Sequence, residues 1–294
     1  MHTTPLKTLA IQYLKEVTPA KKFGILLKAE KILNAYEFTS KAALFRFLGI
    51  SYFASVNSSQ KIEKGKKLNF DTLVLYLAAS KNAGVDLCSY ASTGCRMACL
   101  VASGHALIEQ RANKNTIAVS RIVKTWLTVY RRDIANEILA QEIATSEKRA
   151  KRKGRKFSVR LNGTSDIDFS DVITRFPDVQ FYDYTKDPNR VELPNYHLTF
   201  SYGDGSKARL KHYRQALQRG QSLAIPVIAS DFEAVVALPG CYSMDDTDLR
   251  FLDGDRGRFG ILKAKVTDNL QGGVKNRFIL QACDVKELIE TLDA

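Results

Sequence analysis

From residue 157 onward the chain alternates short apolar runs with short helical stretches, and this alternation limits the folds open to it. FSVRLNG (157–163), VQFYDYT (179–185), YHLTFSYG (196–203), SLAIPVIAS (222–230) and FGILKAKV (259–266) carry the β-branched and aromatic residues of strands. SDVITRF (170–176), SKARLKHYRQALQRG (206–220) and DFEAVVAL (231–238) lie between several of them and read as helices. A further strand-like run, LNFDTLVLYLAAS (68–80), precedes a helical region from His105 to Ala150, where Trp126, Leu127 and Tyr130 fall on the core face. Strand, helix, strand at this spacing predicts an α/β fold of parallel β/α units, closed into a full or partial TIM-like barrel. Residues 1–66 read as a small basic helical region, with a polar linker in NSSQKIEKGKK (57–67), and residues 67–294 as the barrel-like domain.

In parallel β/α folds the working residues lie at the C-terminal ends of the strands. Here one run ends in Arg160, Asn162, Gly163, Thr164, Ser165, Asp166 and Asp168. The next ends in Tyr182, Asp183, Tyr184, Thr185 and Lys186, and a third in Thr199, Ser201, Tyr202 and Gly203. One polar end is ordinary turn and cap chemistry, but three in succession predict a shared pocket. Arg160 and Lys186 suit an anionic group, Asp166 or Asp168 a hydroxyl or amine, and Tyr182 and Tyr184 a stacked base.

The stretch DLCSYASTGCRMACLVASGH (86–105) holds Cys88, Cys95 and Cys99. Cys95 and Cys99 are spaced to share one face of a helix, at the mouth of the turn-rich loop carrying Cys88. Core burial of three thiols is the plainer alternative, but a Gly/Ser/Thr loop is a poor place for it. Three converging thiolates suit a soft metal or an iron–sulfur cluster, either as a [4Fe–4S] site or as zinc with His105 as fourth ligand. Both metal readings stay open.

Lys and Arg number 44 against 31 Asp and Glu, for a net charge of +13. That balance favours a nucleic acid or nucleotide as partner. The first residues lack the blocks of a signal peptide, and no apolar run is long enough to span a membrane, so the expectation is a cytoplasmic protein with no membrane partner. The acidic segment CYSMDDTDLRFLDGDRG (241–257) does not follow the calcium-loop order and reads as a solvated loop. Cys241 and Cys283 read as core residues. No dinucleotide fingerprint or Walker motif is present in the sequence.

The order of TLVLYLAAS, CSYASTGCRMACL, VRLNGTSDID, QFYDYTK, NYHLTFSYG, LDGDRG and GILKAKV resembles the bacteriophage gene product 88 family, over roughly residues 70–266. The resemblance implies a phage origin, and that the three cysteines and the polar strand ends form one unit. In plan, a cysteine triplet after a first strand followed by β/α units is also similar to radical S-adenosylmethionine enzymes, although the spacing here is C-x₆-C-x₃-C. That likeness implies that Cys88, Cys95 and Cys99 ligate three irons of a [4Fe–4S] cluster. The fourth iron would chelate S-adenosylmethionine, and the enzyme would act on a nucleic acid or nucleotide in a pocket of strand-end residues. The alternative expectation is a zinc-containing nucleic-acid-binding protein without catalytic activity.

Overall fold

The structure is a computed structural model and describes residues 4–99, 115–254, 258–264 and 278–294. It opens with α1 (Pro5–Lys15), α2 (Pro19–Asn34) and α3 (Lys41–Leu48). Thr4 caps α1 through its hydroxyl, 3.3 Å from the Lys7 N–H, and the proline at the first helical position loses no hydrogen bond there. Ser40 caps α3 in the same way, and Gly49 ends it at φ 70°, a left-handed conformation that favours glycine. Leu6, Ala10, Leu33, Leu44 and Leu48 from these helices enter the same core as Leu73, Val159 and Phe181 of the sheet.

The strands are β1 (Ala54–Val56), β2 (Phe70–Leu75), β3 (Lys156–Arg160), β4 (Gln180–Thr185), β5 (Tyr196–Ser201), β6 (Leu223–Val227), β7 (Cys241–Ser243) and β8 (Phe259–Lys263). The helices among them are α4 (Thr93–Met97), α5 (Thr116–Tyr130), α6 (Arg132–Arg152), α7 (Ser170–Ile173), α8 (Lys207–Gln218), α9 (Phe232–Val236) and α10 (Ala282–Asp293). They build one eight-stranded sheet in the order β1-β2-β3-β4-β5-β6-β8-β7. Every neighbouring pair is parallel except β1 on β2.

From β2 to β6 each strand lies beside its predecessor, so successive right-handed crossovers stay on one side of the sheet. That side is the apolar one. Leu73, Val159, Phe181 and Leu198 pack there against Val123, Trp126, Leu127 and Ile138. Phe200, Leu223, Ile225 and Phe259 pack against Tyr213, Val235 and Leu288. Alternation sends Thr72, Ser158, Arg160, Tyr182, Tyr184 and Thr199 to the other face.

The parallel β/α organisation matches the sequence expectation; closure into a barrel does not. The sheet is open among the described residues, because β1 occupies one edge and β7 the other and the two do not pair. Both edge strands span only three residues each, too short for a clear period-two pattern, and neither was legible in the sequence. The expected linker carries a helical turn at Gln60–Glu63 and a 3₁₀ turn at Lys64–Leu68.

β1 is held from the helical layer. The buried Glu142 carboxylate on α6 accepts the backbone N–H groups of Phe53 (3.2 Å) and Ala54 (2.6 Å) and pairs with Lys41 at 3.2 Å. Glu142→Ala leaves two buried donors without an acceptor and should lower unfolding stability by about 2–4 kcal/mol, read from the urea midpoint. A loss under about 0.5 kcal/mol, the size of an ordinary surface change, would show that Glu142 does not hold this edge.

Candidate functional site

The cysteine loop follows β2 and crosses the C-terminal ends of β3, β4 and β5. Backbone bonds seat it first: Gly163 N–H donates to Leu75 O at 3.0 Å, and Asp166 N–H to Leu87 O at 2.8 Å. A side chain at Gly163 would meet Leu75 O at 2.7 Å, so this close approach needs glycine. Thr164 donates its hydroxyl to Leu77 O at 2.5 Å. Ser92 caps α4 by accepting from Cys95 N–H at 3.1 Å and donates its own hydroxyl to Gly203 O, beyond β5, at 2.7 Å. Arg209 on α8 donates to Tyr90 O at 2.7 Å.

Inside the loop, Arg96 acts as a clamp. It grips Asp86 with both guanidinium nitrogens (2.9 and 3.2 Å), donates to Cys88 O at 2.8 Å and also bonds the Ser80 hydroxyl. Asp86 in turn accepts the Cys88 N–H at 3.0 Å. Cys88, Cys95 and Cys99 are all half-buried. Burial pushes the Cys88 thiol up to about 11; the Ser80 N–H opposes this, while charge on Asp166, Cys99 and Cys95 adds to it. Cys88 therefore lies in the field of Cys95, Cys99 and Asp166. Among the described residues no three His, Cys, Asp or Glu side chains stand close enough together to hold a single metal ion. His105 lies outside the described residues.

Behind the cysteines the strand ends form a tight polar layer. Asp183, 2% exposed, accepts from Asn162 N–H (2.8 Å), Asn162 Nδ2 (3.3 Å) and the Tyr196 hydroxyl (3.2 Å). Asn162 Oδ1 accepts from the Ser165 hydroxyl at 2.9 Å and Ile167 N–H at 3.0 Å. Asp166 accepts from the Thr185 hydroxyl (2.8 Å), Lys186 N–H (2.8 Å) and Arg190 (3.4 Å). Burial raises the Asp166 carboxyl above its ordinary range against these donors.

The polar face of the sheet carries a second group. Arg160, at the end of β3, donates to Asp248 at 2.6 Å and lies 4.9 Å from the Tyr184 ring centre. Burial is the largest influence and works against the Arg160 charge, but Asp248, Tyr182, Tyr184 and Asp183 together outweigh it and hold the guanidinium well above its ordinary range. The Tyr182 hydroxyl donates to Asp248 at 3.4 Å. Arg250 pairs with Asp253 at 3.0 Å and bonds Thr247 O, and the Tyr242 hydroxyl donates to Asp253 at 3.1 Å. Lys61, from the turn after β1, stands 3.8 Å from both Asp245 and Asp248. Burial lowers the Lys61 ammonium below its ordinary range, with Asp248 opposing.

A profile of the gene product 88 family matches residues 53–286. The chain belongs to the gene product 88 family. No curated protein and no solved structure matches it. The matched span takes in all eight strands, the cysteine loop and the start of α10, while α1 to α3 precede it.

In this gene product 88 chain the expected site residues divide into groups. Cys88, Cys95 and Cys99 lie on the loop, and Asp166, Cys99 and Cys95 all act on the Cys88 thiol. Asn162, Thr164, Ser165 and Asp183 have their hydrogen bonds taken within the loops, so they build the site's frame. Asp168 is exposed and accepts from Ser170 N–H at 2.9 Å, at the start of α7. Lys186 stands over the Phe278 ring at 5.3 Å. Arg160, Tyr182, Tyr184 and Thr199 share the polar sheet face, and Ser201, half-buried, ends β5. The solvated-loop reading of 241–257 is overturned: Asp248, Arg250 and Asp253 are 2%, 1% and 7% exposed. Cys283 is exposed rather than in the core, and Asp255 lies outside the described residues. Sequence reasoning missed Arg96, although it sits between two of the cysteines. It also missed Lys61, Arg190 and Arg250, and only Arg250 left a trace, as one arginine inside the apolar triplet of Leu249, Phe251 and Leu252.

Burial disfavours the charge of Asp183 and pushes its carboxyl up to about 6 from 3.8. Between those values the folded chain holds a proton that the unfolded chain releases, so stability falls as pH rises through this window. Asp183→Asn removes that contribution. Relative to wild type, the variant should gain about 2 kcal/mol between about pH 4 and about pH 7, read from urea midpoints. A stability difference independent of pH would show the Asp183 carboxylate charged throughout.

Proposed function

We propose that this chain is an iron–sulfur enzyme of the gene product 88 family acting on a nucleic acid or nucleotide. What supports the reading is the placement of three half-buried thiols on one loop at the C-terminal ends of a parallel sheet, with Cys88 in the field of Asp166. Their donor chemistry fits a thiophilic group. In this reading Cys88, Cys95 and Cys99 hold a [4Fe–4S] cluster. With S-adenosylmethionine on the remaining iron, the cluster supplies reductive cleavage chemistry that ordinary side chains cannot.

The remaining work belongs to the chain. Arg96 fixes the loop that carries the thiols. Asp166, held by Thr185, Lys186 N–H and Arg190, presents a half-buried carboxyl in the field of Cys88 for a hydroxyl or amine of the bound molecule. The one-sided helical layer leaves the polar sheet face to the charged cover of Asp248, Arg250 and Asp253, where substrate contacts would lie. The net charge of +13 supports a polyanionic partner. No helix among the described residues is long and apolar enough to cross a membrane.

Anaerobic purification with iron, sulfide and zinc counts on one sample tests the reading. A brown protein with matched iron and sulfide, losing both in Cys95→Ala, is the expected result. A colourless protein with stoichiometric zinc, or one with no metal, would overturn it. Because Cys88 must lose a proton to bind metal, reconstitution should also speed up as pH rises, and a rate that falls with pH would count against Cys88 as a ligand.

Cluster loss should leave nucleic-acid affinity in place if the basic surface alone supplies it. Titration of a single-stranded oligonucleotide at two salt concentrations checks the partner. Affinity should fall steeply with salt; no binding at low salt would remove nucleic acid as substrate class.

A further inference from the structure

On the polar sheet face four side chains carry buried donors that have no hydrogen-bond partner: Arg160 Nε, Arg250 Nε, the Tyr184 hydroxyl and the Thr199 hydroxyl. Thr199 and Arg250 are each 1% exposed. The four converge. Tyr184 and Thr199 are directly paired across β4 and β5, Arg160 lies 4.9 Å from the Tyr184 ring centre, and the charge on Arg250 acts on Tyr184. Folded proteins leave few buried polar groups unpartnered, and each costs about 1–3 kcal/mol. A cluster of four on one face therefore marks a seat for something that is bound.

The chemistry of the seat selects the occupant. A guanidinium Nε can only donate, and both hydroxyls have a proton to give, so the occupant must be rich in acceptors. The nearby carboxylates are engaged elsewhere: Asp248 by Arg160 and Tyr182, Asp253 through Oδ2 by Arg250 and Tyr242, and Asp183, 3.9 Å from Arg160 Nε, by Asn162 and Tyr196. Solvent reaches the seat at Arg160, whose side chain is 16% exposed. We propose that Arg160, Arg250, Tyr184 and Thr199 form an oxyanion subsite that takes a phosphate or carboxylate group of the substrate. The subsite deepens the substrate reading above and does not depend on the cluster.

Isothermal titration of the full chain with inorganic phosphate, adenosine 5′-monophosphate and malonate tests it, on wild type, Tyr184→Phe, Thr199→Val and Cys95→Ala. At least one probe should bind saturably to wild type. Each hydroxyl deletion should weaken that probe by about tenfold, as expected for a hydrogen bond to a charged group. Without probe, the melting temperature of both deletions should match or exceed wild type, because each removes a buried hydroxyl that has no partner. Stronger binding of either phosphate than of malonate identifies a phosphoryl group, and the reverse order a carboxylate. No saturable binding by any probe overturns the proposal, as does wild-type affinity in both deletions, which would put the anion elsewhere on the basic surface. Cys95→Ala should bind as wild type does. Binding retained by a chain that never loads iron would sink the cluster alone, and a loaded chain blind to every probe would sink the subsite alone.

Discussion

The direction of strand addition is the constraint on which the rest of this structure depends. From β2 to β6 the sheet grows one parallel strand at a time in a single direction, so the crossing helices accumulate on one face. A doubly wound sheet would cover both faces with helices. Here the second face must be covered by other means, and the segment from Met244 to Gly254 with the turn carrying Lys61 does so. Leu249 and Phe251 supply the apolar part of that cover, packing on Phe70 and Tyr182. Asp248, Arg250 and Asp253 supply the ionic part.

A buried ion pair is weak evidence for stability, because desolvating two charges offsets most of their attraction. Apolar residues of similar size on this face would hold the covering segment at least as well. Charge is nonetheless concentrated here, with Arg160 and Asp248 joined across the interface between sheet and cover. The helical face, by contrast, is filled with leucine, isoleucine, valine and aromatic side chains wherever packing alone is required. One sheet thus carries an apolar side that makes the fold and a charged side whose composition folding does not explain. That asymmetry is the physical ground for placing substrate contacts on the polar side.

The parallel strands were legible because each is a short apolar run bounded by turn residues, and such runs survive any change in sheet context. The cysteine loop stands out in the sequence as three thiols in a turn-rich stretch, but its helix, Thr93–Met97, ends before Cys99, so Cys95 and Cys99 do not share a helical face. The edge strands were not legible, since Ala54–Val56 and Cys241–Ser243 are too short to show a period. The burial of Asp248 and Asp253 was hidden for a different reason. Local composition marks a run of aspartates as solvated, and only tertiary partners far along the chain, Arg160 for one, make burial tolerable. The roles of Asn162 and Ser165 were hidden by side-chain type. Both are as suited to binding a ligand as to tying a loop, and the loop bonds decide between these uses.

The same bonds explain why the cysteine loop can be short of regular structure and still be precise. A flexible carrier would let three thiols drift apart, and precise sites are held by neighbours that are themselves locked. Asp86 and Arg96 lock the loop internally, while Leu75, Leu77 and Leu87 tie it to the segment after β3. Gly203 and Tyr90 tie it to the region after β5. The strand order brings those anchors side by side, so the loop inherits its geometry from the sheet. Asp166 joins the two halves of the argument. Its carboxyl lies in the field of Cys88 on one side and accepts from Thr185 at the end of β4 on the other.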